Sequence, residues 1–126
     1  MAEFQYLLDS DICIYLLKDF SPTLTAKVAA QGSGSLCISS ISLAEIAVGY
    51  GNRVFNAPEL RSFLGQIPAV AFDERAAKIF GALPFRRGKF DRLIAAHALS
   101  LDVVVVTNNE ADFADVPGLR TENWAG

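Results

Sequence analysis

Asp102-Val103-Val104-Val105-Val106-Thr107 places four β-branched residues in a row with no polar residue between them. A strand with one wet face alternates apolar and polar side chains, so an unbroken run demands burial on both faces, as in the middle of a helix-covered parallel sheet. Parallel strands cannot be joined by tight hairpins. The rest of the chain must therefore supply helices between strands.

The order of segments meets that demand. Phe4-Gln5-Tyr6-Leu7-Leu8-Asp9 is an apolar run closed by a carboxylate, and Ser10 is a candidate cap for a short, largely apolar helix over residues 11–18. Ser21-Pro22 opens a second helix, with Ser as cap and Pro at the first position, and Gly32 ends it. Residues 35–39 read as the second strand. Ser42-Leu43-Ala44-Glu45 begins a helix with Leu43, Ile46, Ala47 and Tyr50 on one face, and Asn56-Ala57-Pro58 begins another with Leu60, Phe63 and Leu64 inward. A short third strand over 69–72, a helix over 73–83, a basic loop over 84–89 and an amphipathic helix over 91–101 precede the valine strand. Pro117-Gly118-Leu119-Arg120-Thr121 suggests a final edge strand, with Trp124 packing late. Strands alternating with helices predict an α/β fold, a doubly wound, mostly parallel sheet with helices on both faces.

With 126 residues, 52% hydrophobic and 20% charged, the chain predicts one compact domain, 1–126, large enough to close a core. No run approaches the roughly 20 apolar residues of a membrane span. Met1-Ala2-Glu3-Phe4 lacks the basic start of a secretory signal, so a cytoplasmic location is expected. Cys13 and Cys37 lie in apolar surroundings without metal or redox spacing and read as buried hydrophobes. A net charge of −3 argues against a protein that coats nucleic acid electrostatically, so any nucleic acid must be held locally. P-loop, dinucleotide-binding and Ser-His-Asp patterns are missing from the sequence.

Ligands of open α/β sheets bind beyond the carboxyl ends of the strands. In a doubly wound sheet that rim gathers Asp9, the helix bearing Glu45, the start of the Asp91 helix and the end of the valine strand. Each acid alone has a plainer reading: Glu45 fits a capping box begun by Ser42, Asp91 can cap its helix, and Asp9 can simply end a strand. As a set they repel one another unless a cation or a raised pKa relieves them. Oxygen donors without a His or Cys cluster select a hard ion, Mg²⁺ or Mn²⁺, and such an ion suits water attack on a phosphodiester.

Leu7-Leu8-Asp9-Ser10-Asp11, Ile38-Ser39-Ser40-Ile41-Ser42-Leu43-Ala44-Glu45, Asp91-Arg92-Leu93-Ile94-Ala95-Ala96-His97-Ala98-Leu99 and Val105-Val106-Thr107-Asn108-Asn109, with the terminal Pro117-Gly118-Leu119-Arg120, resemble the motifs of PIN-domain ribonucleases of the VapC toxin type, in the family's order. The resemblance implies a five-stranded parallel sheet of order 3-2-1-4-5 in a PIN-like three-layer sandwich, and a Mg²⁺ or Mn²⁺ site. It further implies endoribonuclease activity on an RNA substrate, tRNA or another structured RNA, together with homodimerisation and neutralisation by a VapB-like antitoxin. The family's acids fall on Asp9, Glu45 and Asp91. Asp9 and Asp91 are expected to hold the metal; Glu45 is expected to position or deprotonate the attacking water, with an outer-shell role toward the metal.

Two departures stand out. The family's fourth acid usually follows Thr-x, which here is Asn109, an amide without charge; Glu110 or Asp112 from the next turn could substitute. Asp11 stands where the family often has Asn, with a solvated first-turn acid as the rival reading. The stretch between Ala82 and Asp91 is shorter than the family's usual one and carries Arg86, Arg87 and Lys89, with Arg92 just after it, either a solvated face or a contact for RNA phosphates. Thr107 and Asn108 are expected near the scissile phosphate. His97, inside its helix, reads as packing, and Phe85, Phe90 and Trp124 as packing rather than base stacking. Two rival functions stay open: a catalytically silent PIN-like module whose apolar helices near Leu16, Leu17 and Tyr50 dock a partner peptide, and a phosphoryl-acceptor domain, disfavoured because no Lys follows Thr107.

Overall fold

The computed structural model describes residues 4–32, 34–84 and 90–125. Strand β1 (Tyr6–Leu8) leads directly into α1 (Ser10–Lys18), and α2 (Pro22–Ala29) follows. Next come β2 (Leu36–Ser39), α3 (Ser40–Tyr50), a 3-10 turn (Gly51–Phe55) and α4 (Pro58–Gln66). The chain continues through β3 (Ala69–Val70), α5 (Glu74–Ala82), α6 (Phe90–Leu101), β4 (Val104–Val106), a second 3-10 turn (Glu110–Phe113) and β5 (Thr121–Glu122). The sheet has five strands in the order β3-β2-β1-β4-β5, and every pairing is parallel. Leu7 registers with Cys37 on one side and Val105 on the other.

The valine run does what its composition demands. Val103 and Val105 enter one core with Leu7, Cys37, Ile94, Ala95, Ala98 and Phe113, beneath α6. Val106 points the other way, into a core with Leu8, Ile12, Leu24, Ile38, Ile46 and Leu60 from α1 to α4. Each fully buried Leu or Ile here contributes about 1.5–3 kcal/mol relative to exposure. Both cysteines are buried and free. No helix among the described residues is long and apolar enough to cross a membrane.

Several boundaries move, each for a local reason. The α3 helix starts at Ser40, because Ser39 ends β2 and itself caps the helix, accepting from the Ile41 N–H at 3.0 Å. Glu45 therefore lies in the second turn, and the capping box begun by Ser42 does not form. Asp91 falls in the first turn of α6 rather than at its cap. Asp9, not Ser10, caps α1. The last strand, Thr121–Glu122, begins at the final residue of the predicted stretch, because Gly118 turns within that stretch with φ 78°. Trp124 is buried and meets the Tyr6 ring edge-on, with 4.9 Å between centroids, so it packs rather than offering a face to a base.

Candidate active site

Asp9 sits where β1 turns into α1. Its N–H still belongs to the sheet, donating to the Val106 carbonyl at 2.9 Å, while its side chain caps the helix, with Oδ1 accepting from the Ser10 N–H at 2.8 Å. Thr107, the residue after β4, is fully buried and donates its hydroxyl to Asp9 Oδ2 at 2.8 Å. The register of Leu8 against Val106 brings these two strand ends side by side.

The contacts extend in both directions. Ser10 Oγ donates to Glu45 Oε1 at 2.5 Å, joining α1 to α3. Thr107 Oγ1 accepts from the Asn109 N–H at 3.0 Å, and Asn109 Nδ2 donates to Asp11 Oδ2 at 2.7 Å. Glu45, Ser10, Asp9, Thr107, Asn109 and Asp11 are thus linked through successive side-chain and local backbone contacts. Asp9 is only 3% exposed. Burial, the nearby Asp11 charge and a hydrogen bond with Asp11 push its pKa up from 3.8 to about 8, while the bonds from Thr107 and Ser10 pull it down.

Asp91 reaches the same rim through the topology. The α6 helix precedes β4 and runs antiparallel to it, so its first turn lies at the carboxyl edge of the sheet. His97 Nδ1 meets Ser39 Oγ at 2.7 Å, at the end of β2. Asp91 is six residues earlier, about 9 Å farther out along the helix axis.

Among the described residues, no three His, Cys, Asp or Glu side chains are drawn together as a ready metal cage. The donor set nevertheless fits a hard cation. Its donors are oxygens, Asp9 is a nearly buried carboxylate beside a second carboxylate, and each Asp9 oxygen accepts one described bond where a carboxylate offers about four lone-pair sites.

The remaining candidates divide. Asn108 Nδ2 reaches the Tyr15 hydroxyl at 3.4 Å and its Oδ1 accepts from Asn123 at 3.3 Å. Thr107 is fully buried, and its described side-chain contacts are with Asp9 and the Asn109 N–H. Arg92 is turned inward, 6% exposed and paired with Asp115 at 3.2 Å, so it adds no exposed charge next to the basic stretch of the sequence. Arg86, Arg87, Lys89 and Phe85 lie outside the described residues. Phe90 is exposed. Asp112, on the second 3-10 turn, joins the described bonds only through its backbone, its N–H donating to the Asn109 carbonyl at 3.0 Å, and Glu110 accepts from Thr121 at 2.8 Å.

His97 is buried, with Nδ1 on Ser39 and the Phe72 ring edge-on at 5.5 Å. Burial lowers its pKa, which suits a neutral packing residue. Sequence reasoning missed Ser10 as the link to Glu45, because that bond joins residues 35 positions apart. Beside Glu45, a groove of about 320 Å³ runs between α1 and α3, lined by Ile14, Leu17, Ile46 and Tyr50 with Lys18 and Arg53 among its charges.

A family model described as PIN domain matches residues 6–119. The chain is 34% identical to the tRNA(fMet)-specific endonuclease VapC of Shigella flexneri, over 96% of this chain and 98% of that protein. It is 32% identical to ribonuclease VapC2 of Haemophilus influenzae strain Rd, over 95% and 98%. Its fold matches a chain of the VapBC2 complex from Rickettsia felis bound to a promoter DNA fragment, with a TM-score of 0.83 and 28% identity, covering 96% and 99%. Family model, relatives and fold agree: this chain belongs to the PIN-domain family, among the VapC ribonucleases.

Proposed function

We propose that this chain is a metal-dependent endoribonuclease, the toxin of a VapBC-type pair, that hydrolyses phosphodiester bonds of a structured RNA. The observation that carries the reading is the linked set Glu45–Ser10–Asp9–Thr107, which ties two acids to the carboxyl rim of the sheet. Relatives named for cleavage of tRNA(fMet) and as ribonucleases supply the substrate class.

Asp9 and Asp91 would hold Mg²⁺ or Mn²⁺. A bound divalent ion supplies stabilisation of the charge that develops on the phosphoryl and leaving oxygens. Glu45, held by Ser10, orients the attacking water and accepts its proton as the new oxygen–phosphorus bond forms and the leaving oxygen departs. Thr107 keeps Asp9 in its rotamer. Arg86, Arg87 and Lys89 contact RNA phosphates, and Thr107 and Asn108 lie near the scissile phosphate. The protein acts as a homodimer in the cytoplasm, and a VapB-like antitoxin neutralises it.

The groove beside Glu45 favours a second reading, partner docking without catalysis. Expression in a bacterial host separates the two. Growth arrest that Asp91→Ala abolishes, with the variant still folded and abundant, supports the nuclease. Arrest that persists with Asp91→Ala favours docking alone.

A further inference from the structure

The charge distribution around Asn109 points to one more residue of the site. Asn109 follows β4 and Thr107, and its backbone N–H is held by Thr107 Oγ1 at 3.0 Å, so its position is tied to the same hydroxyl that holds Asp9. Its Nδ2 is committed to Asp11 Oδ2 at 2.7 Å. The amide brings no charge of its own, yet it fastens a carboxylate from the first turn of α1 to the loop after β4. Asp11 is half-buried, and it lies near enough to Asp9 to share a hydrogen bond with it. A solvated first-turn acid would not need this anchor: its charge is already favoured at the helix start and hydrated by water. Two carboxylates held this close repel each other unless a proton or a cation relieves them, and a hard cation can take the proton's place.

We infer that Asp11 is a carboxylate ligand of the metal site, held in place by Asn109, so that the charge absent at position 109 is supplied from α1. The inference rests on the metal-dependent reading above and concerns this chain's own residues toward that ion. Asp11→Asn changes one atom and keeps the helix surface. Asn109→Asp in the Asp11→Asn background moves the carboxylate to the other end of the same hydrogen bond.

Mn²⁺ binding to the purified full chain, followed by calorimetry and by the spin resonance of free Mn²⁺, tests it without reference to RNA cleavage, with circular dichroism confirming the fold. Expected are a loss of affinity of about tenfold or more in Asp11→Asn, recovery to near wild type in the double variant, and loss of binding in Asp9→Asn. Asp11→Asn binding as tightly as wild type, while Asp9→Asn fails, would overturn this inference and leave the site reading standing. A double variant as weak as the single would overturn the pairing of Asp11 with Asn109. Wild-type protein that takes up no Mn²⁺ would overturn the site reading and this inference together.

Discussion

Ser10 and Glu45 are joined by a 2.5 Å hydrogen bond, the serine hydroxyl donating to the carboxylate, and this bond couples the helix after β1 to the helix after β2. In the proposed mechanism this bond holds Glu45 in place to act on the attacking water.

Ser10→Ala is therefore expected to leave RNA affinity unchanged and to lower the cleavage rate about 10- to 100-fold, the range for removing a hydrogen bond that orients a site ligand. Single-turnover cleavage at saturating RNA, compared with RNA binding, checks the split. An unchanged rate would remove Ser10 from the site.

Thr107→Val keeps the shape but removes the hydroxyl that donates to Asp9 and accepts from Asn109. Leaving buried polar partners unsatisfied costs about 1–3 kcal/mol. Urea denaturation should show that loss for Thr107→Val and little loss for Thr107→Ser, which retains the hydroxyl.

The raised pKa of Asp9 gives a pH signature. Above the ordinary value of 3.8 and below about 8, the folded protein keeps a proton that the unfolded chain has released, so metal-free stability falls as pH rises through this window. His97 acts oppositely. Its lowered pKa makes the unfolded chain bind more protons below the ordinary 6.5, so its contribution falls as pH drops through that region. The Asp9 effect is thus cleanest between pH 6.5 and 8, where stability should decline by up to about 1.4 kcal/mol per pH unit. Thermal unfolding across that range should show the decline in wild type, flatten it in Asp9→Asn, and reverse it when Mn²⁺ is added.

His97→Asn retains a polar atom for Ser39 and deletes part of a buried ring. It should destabilise the fold by a few kcal/mol through the cavity it leaves, with the pH dependence of cleavage unaltered. A changed cleavage profile would return His97 to the chemistry.

The fold was legible because the valine run admits burial on both faces only, and β4 delivers alternate side chains to the two cores. Asp9 was legible because an acid closing an apolar strand has few places to go. Glu45 was ambiguous: Ser42-Leu43-Ala44-Glu45 matches a capping box, and only the earlier helix start at Ser40, capped by Ser39, removes that alternative. Arg92 was not legible, because a cation beside a basic stretch looks the same in sequence whether it faces outward or, as here, turns inward to Asp115. The Ser10–Glu45 and Asp11–Asn109 pairs are long-range bonds set by tertiary packing, without a local signature.

The most direct measurement is cleavage of total small RNA by purified wild-type and Asp91→Ala protein, with Mn²⁺ or Mg²⁺ and with EDTA, mapping product ends. The account predicts discrete fragments that require both the divalent ion and Asp91. RNA left intact by folded, metal-loaded wild-type protein, or cut equally well by Asp91→Ala, would contradict it.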